Sequence, residues 1–398
     1  MPRKRVILLP PQYLPPPDPL AFPEDIADMG WCGKAAAAYE EIYESPKYAF
    51  FMAFLTCLGS VISGNVRVET AIKSDPRFYT VLLGESGNTR KSTAKDVAID
   101  FFQDTLPDFN VAFGGGSGEG IVSALSRSRF TNRLLLAPDE WQQVINKGKL
   151  RGSSLIPCIN ILFESNKYSN PLKSVNNSIQ DGHLAILSAS TNDTYESCWD
   201  ADNMNIGLNN RLFIVPIAPV EPGFVLPPKI APDVYKALQE ELLQIVAETS
   251  EGMEYPIDEA AERFLQNWYS TRERDGVKST RIDTYAVRTL TVLAANDHKY
   301  SIDFKIVNDA TILADWQLKV RKIHTPVVTD NKFSRLQSRI LNYMDSYPGR
   351  KKYIYQQKCG GSYYGLKMFN DVWDALQKSE YIQKDIEGNW TRVTGRKL

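Results

Sequence analysis

The run YTVLLGESGNTRKSTAKDV, residues 79–97, constrains the fold more tightly than any other stretch. An apolar strand leads into a loop with two glycines, and Lys91-Ser92-Thr93 opens a helical stretch. Such a strand, loop and helix N-terminus can curl backbone N–H groups around an anion. The familiar spelling is G-x-x-x-x-G-K-[ST], with a lysine for phosphates and a hydroxyl for Mg²⁺. Here Arg90 precedes Lys91 in place of glycine, and Gly84 lies one residue too far from the lysine. A loop one residue longer is expected to shift any demand for positive φ to Gly87 or Asn88. Arg90 would then be free to reach a phosphate or a neighbouring subunit. The bland alternative is a strand-turn-helix that happens to carry a lysine.

From about residue 65 to 220, short apolar runs alternate with helical stretches: FYTVLLG, FNVAFG, RLLLAPDE, HLAILSAS and RLFIVPIAP. This alternation predicts an α/β fold with a largely parallel central sheet. Residues 1–64 read as a Pro-rich arm followed by two helices. The second, YAFFMAFLTCLGSVISG, falls short of the roughly 20 residues a membrane span needs and reads as buried. Residues 221–327 open with a Pro-rich connector and become helical. Residues 328–398 read as two or three helices around a Gly/Lys-rich turn region, then two short β segments about EGN, the outline of a winged helix.

Three further motifs follow the loop in order. RLLLAPDEW ends a strand in Asp139-Glu140, where an Asp can hold the Mg²⁺ shell and the Glu can polarise a water. HLAILSASTN runs into Asn192, placed to orient that water, or else to make an Asx turn. NNRLFIVP sets Arg211 just before a strand, positioned to reach out of one subunit toward the nucleotide of the next, or else to form a surface ion pair.

In this order, GESGNTRKST, LLLAPDEW, LSASTN and NNRLFIVP resemble the AAA+ ATPases. NNRLFIVP is similar to the arginine-finger strand of minichromosome-maintenance helicases. More closely, residues 45–325 resemble the P-loop replication-helicase-like proteins of phages and mobile elements. The resemblance implies an AAA+ P-loop core with a helical lid, ATP hydrolysis with Mg²⁺, a homo-hexameric ring and DNA in its pore. Carried over by position, Gly84, Ser86, Gly87, Asn88, Thr89, Arg90, Lys91, Ser92 and Thr93 would cradle the nucleotide. Ser92 and Asp139 would be metal residues, Glu140 the water residue, Asn192 a sensor and Arg211 a finger acting in trans. Arg281 and Arg288 are candidates for a second, lid-borne sensor, with Arg288 preferred.

Charge extends this reading. The chain carries a net −1, but residues 331–398 hold 13 Lys/Arg against 6 Asp/Glu, so a basic tail sits on an acidic body. That pattern suggests a polyanion partner, or a solvated basic face. Lys147, Lys149 and Arg151, on a Gly-rich loop, and Lys167 and Lys173, on an expected hairpin, are candidate pore contacts to single-stranded DNA. Lys351 and Lys352 are candidate contacts to duplex DNA in the C-terminal unit. Five scattered cysteines without CxxC spacing fit a reducing cytoplasm, and three distant histidines argue against a His-metal centre. The leading expectation is a ring-forming replicative helicase, with a primase or polymerase as a further partner. The alternatives are an ATP-switched loader or transposition regulator that unwinds nothing, and a small-molecule kinase.

Overall fold

The computed structural model describes residues 20–70, 75–85, 87, 89–114, 116–127, 132–171, 176–199, 207–220, 226–274, 276–324, 332–360 and 364–393. Five strands form the central sheet: β2 (Tyr79–Leu83), β3 (Val111–Ala112), β4 (Arg133–Leu136), β7 (His183–Ser190) and β8 (Phe213–Pro216). Their order is β3-β4-β7-β2-β8, and every pairing is parallel. The chain therefore runs out from β2 to the β3 edge, returns through β4 and β7, and crosses to β8 on the other side. Every residue of β2 and β7 is buried, which is why both read as unbroken apolar runs.

Helix α1 (Glu24–Ala27) and helix α2 (Gly30–Glu40) lead into α3 (Lys47–Ile62). All of α3 except Lys47 and Val61 is buried, as expected of a core helix. It packs on β2, β4 and β7 and on α4 (Lys91–Thr105). A buried hydroxyl pair, Thr56 Oγ1 to Thr80 Oγ1 at 2.7 Å, joins α3 to β2. Helices α5 (Gly118–Arg127), α6 (Trp141–Gly148) and α7 (Leu155–Glu164) lie among the later crossovers. No helix among the described residues is long and apolar enough to cross a membrane.

The hydrophobic core does not divide at residues 64 or 220. One cluster runs from Phe22 to Val320 and includes helices Pro232–Thr249, Ile282–Asn296 and Phe304–His324. A further strand, β1 (Val66–Val68), pairs in parallel with β9 (Met253–Tyr255), outside the central sheet. That partner is 187 residues away, beyond the reach of any local pattern. β5 (Tyr168–Pro171) and β6 (Asn176–Ile179) form the antiparallel hairpin expected before β7.

Residues 332–393 have their own core around Leu336, Met344, Tyr355, Trp373 and Trp390. Helices Lys332–Ser346, Lys352–Lys358 and Leu366–Lys378 precede an antiparallel pair, β10 (Ile382–Lys384) and β11 (Trp390–Arg392). Arg350 adds one antiparallel bridge to Trp390. The region read as a turn thus contains a short helix, anchored by Tyr355. Its hydroxyl donates toward the carbonyls of Trp390 at 2.8 Å and Tyr347 at 3.0 Å.

Candidate functional site

Ligands of open parallel sheets bind beyond the carboxyl ends of the strands. Here β2, β4 and β7 deliver three motifs to that end. Gly84 leaves β2 beside β7, its N–H donating to Ser190 O at 3.2 Å. A Cβ on Gly84 would stand 2.7 Å from Thr89 Oγ1, so the position has no room for a side chain. Thr89 is fully buried and its hydroxyl closes the loop on Glu85 O at 2.8 Å. Ser45 Oγ donates to Thr89 O at 3.3 Å and ties the loop to the end of the α2–α3 connection. Ser86 and Asn88 lie outside the described residues.

The expectation that position 90 escapes positive φ is corrected. Gly87 does adopt φ +87°, but Arg90 itself stands at φ +45° as the N-cap of α4. The loop needs a left-handed residue immediately before the lysine, as the ordinary spelling does with glycine, and arginine bears the strain here. Its guanidinium reaches back to Glu44 Oε2, at 2.9 Å from Nε and 2.8 Å from Nη2.

Lys91 is buried, and its Nζ lies 3.4 Å from Glu85 O. Burial pushes its pKa down, and the charge of Glu140 opposes that. Ser92 and Thr93 fill the next two positions of the first turn of α4, with Ser92 exposed.

Asp139 and Glu140 follow β4, and Glu140 is the N-cap of α6. Burial raises the Glu140 pKa, while Lys91 and Lys95 lower it. Its Oε2 is buried and lacks a hydrogen-bond partner among the described residues. Lys95 was missed in the sequence. It lies one turn after Lys91, so both share a face of α4. It is almost wholly buried, with Nζ 3.1 Å from Asp139 Oδ1 and 3.2 Å from Asp96 Oδ1. Two lysines four apart on a helix that follows a phosphate-loop pattern were the available signal.

Asn192 begins α8 (Asn192–Ser197), capped by the Thr191 hydroxyl accepting from Thr194 N at 3.1 Å. Because Ser190 pairs with Leu83, Asn192 emerges next to the loop. The buried Ser190 hydroxyl has no hydrogen-bond partner among the described residues. α8 also meets the C-terminal unit. Glu196 forms an ion pair with Arg339 and accepts from the Tyr364 hydroxyl at 3.1 Å.

Arg211 is at the other end of the sheet. It closes the short helix Asn209–Arg211 before β8, level with the amino end of β2. The separation from Gly84 is about six strand residues, roughly 20 Å, so Arg211 cannot serve the loop of its own chain. Its Nη1 donates to Gly207 O at 2.7 Å and its Nη2 lies 3.3 Å from Glu164 Oε1. Arg288 does not join the site. It is buried at this same amino end, donating to Arg77 O at 2.8 Å and to Phe163 O, with its guanidinium 3.8 Å from the Phe163 ring centre. Burial lowers its pKa to about 10. Beside it, Arg77 and His183 hold Asp75. Burial alone would raise the Asp75 pKa, but His183 and Arg77 keep it well below the usual carboxylate range.

The candidate DNA residues are dispersed. Lys147 is exposed in the last turn of α6 rather than on a loop, Lys149 and Arg151 are exposed just after that helix, and Lys167 is exposed ahead of the hairpin. Lys173 lies outside the described residues. Lys351 donates to Glu387 O across the β10–β11 turn, and Lys352 stands 5.4 Å from the Trp373 ring centre.

Among the described residues, no three His, Cys, Asp or Glu side chains converge as a metal cage. A Mg²⁺ ion needs none, because it binds through one or two protein oxygens plus substrate phosphates. The chain matches no family model, and no curated protein is significantly similar to it.

Proposed function

We propose that this chain is an AAA+ ATPase that assembles into a ring and drives movement along DNA, as a replicative helicase of a phage or mobile element would. One observation carries the reading. A Lys-Ser helix N-terminus, an Asp-Glu strand end and an Asn-tipped strand meet at the carboxyl end of one parallel sheet, while an arginine stands at the opposite end.

The donor set suits a nucleoside triphosphate. Lys91 offers a buried ammonium that lies 3.4 Å from the Glu85 carbonyl of its own loop. Glu140 holds an unpartnered buried oxygen. Ser92 and Asp139 are the residues that would hold Mg²⁺, which would neutralise phosphate charge there. In this scheme Lys91 binds the terminal phosphates, Glu140 orients a water and takes its proton, and Asn192 fixes that water's direction. Arg211 from a neighbouring protomer stabilises the charge that develops at the leaving phosphate.

DNA in the pore would face Lys147, Lys149, Arg151, Lys167 and Lys173. The C-terminal helices and hairpin suit a winged-helix module, with Lys351 and Lys352 toward a duplex. Helices 232–324 take the place of the lid. A primase or polymerase partner belongs to the same proposal.

The test is Mg²⁺-dependent ATP hydrolysis with and without single-stranded DNA. Wild-type protein should hydrolyse ATP and Lys91→Ala should not. Inactive wild-type protein ends the proposal. An active protein that displaces no strand would instead be an ATP-switched assembly factor.

A further inference from the structure

Building on the assignment of Arg211 above, we infer that Glu164 is a resident counter-anion. It holds Arg211 within a free protomer and releases it to the nucleotide phosphate of a neighbour. Glu164 is the last residue of α7, and its Oε1 lies 3.3 Å from Arg211 Nη2 and 2.5 Å from Arg281 Nε. Two guanidiniums thus share one carboxylate oxygen, and the trio keeps a positive charge. Guanidiniums also bind phosphate oxygens through strong, charge-assisted bidentate hydrogen bonds.

The trio is held by buried arginines that act on the adjacent main chain. Arg321 donates to Leu212 O, next to Arg211, and to Thr280 O, next to Arg281, each at 2.8 Å. Arg288 donates to Phe163 O, next to Glu164. All three charged residues are therefore presented from fixed backbone, while the anion between them stays reachable. The Glu164 side chain is 44% exposed, against 13% for Asp75 in the sealed ion pair nearby. Arg211 also keeps an unused donor, because its buried Nε has no hydrogen-bond partner among the described residues. A carboxylate in the last turn of a helix is opposed by the helix dipole, so its position rests on the two guanidiniums. A phosphate, with more charge and more acceptor oxygens, would displace it.

Glu164 is on this account a positioning residue, and its effect should appear in assembly. ATPase rate would be measured against protein concentration for wild type, Glu164→Gln, Glu164→Ala and Arg211→Ala. Removing the resident anion should lower the half-maximal protein concentration at least fivefold in both Glu164 variants. Arg211→Ala should abolish hydrolysis while nucleotide binding persists. A half-maximal concentration that is unchanged or higher in Glu164→Gln overturns the inference. So does failure of both Glu164 variants to fold, since a releasable anion is not needed for folding. An inactive wild type would instead strike the ATPase reading itself. Active wild type, inactive Arg211→Ala and unshifted Glu164 variants would remove this inference alone.

Discussion

Arg90 can be tested with numbers drawn from its geometry. At φ +45° an L-residue carries roughly 1–2 kcal/mol of steric cost that glycine avoids. Its contacts to Glu44 involve a side chain that is 53% exposed, so the ion pair contributes at most about 1 kcal/mol. Replacing arginine with alanine loses the pair and keeps the strain. Replacing it with glycine loses the pair and relieves the strain, but adds about 0.4–1 kcal/mol of unfolded-chain entropy. The two variants differ only in the last two effects. R90G should therefore be more stable than R90A by roughly 0.8 kcal/mol, and within about 1 kcal/mol of wild type. Urea unfolding of the three proteins measures this directly. A β-branched substitution, R90V, should be worse than either. An R90G protein no more stable than R90A would refute the claim that this position demands a left-handed residue.

Other outcomes follow from the same geometry. Burial holds the Glu140 pKa above its ordinary value, and hydrolysis needs the carboxylate form. Activity should therefore fall on the acid side at a higher pH than an exposed glutamate would set. Glu140→Gln should lose about 10²–10⁴-fold in rate, read from the pH–rate profile. Asp75 has a depressed folded-state pKa, so its stabilisation is fully present above the unfolded value of about 4 and is lost as pH falls from there through the lower folded value. Asp75→Asn should cost about 3 kcal/mol at neutral pH, with the gap to wild type narrowing below about pH 4 in unfolding measurements. If Lys147, Lys149 and Arg151 each contact a phosphate, replacing all three should reduce the log–log salt slope of single-strand binding by about 2. An unchanged slope would move the DNA path elsewhere.

The central sheet was legible because its strands are buried on both faces and spell themselves as apolar runs. β2, β4, β7 and β8 all fall where those runs stand. The fold class follows from their alternation with helices. Pairing at a distance was not legible: Val66–Val68 has the look of a sheet strand, and only the folded chain sets it against Met253–Tyr255. The order of the site motifs was readable, but not their polar partners. Spacing alone could not tell that Lys95 would meet Asp139, or that Arg288 would be turned onto backbone carbonyls while Arg281 met an acid. Arg281 is the N-cap of helix Ile282–Asn296 at φ +64°, outside the regular helix that carries Arg288, so their spacing does not fix their relative directions and tertiary packing decides which one is buried. At Arg90 the lettering of the loop pointed the left-handed demand to Gly87 or Asn88, but the residue that caps α4 needs positive φ as well as Gly87, a backbone requirement that residue types alone do not spell.

Helix Phe304–His324 belongs to both hydrophobic clusters. Val320 is a member of the larger one and Ile323, three residues on, of the C-terminal one. Its last turn is thus a common wall between two compartments. Any swing of the C-terminal unit must either peel Ile323 away from its partners or take the end of the helix along. The end of this helix thus serves two cores at once, and removing the C-terminal unit would leave its Ile323 face bare on the larger fragment.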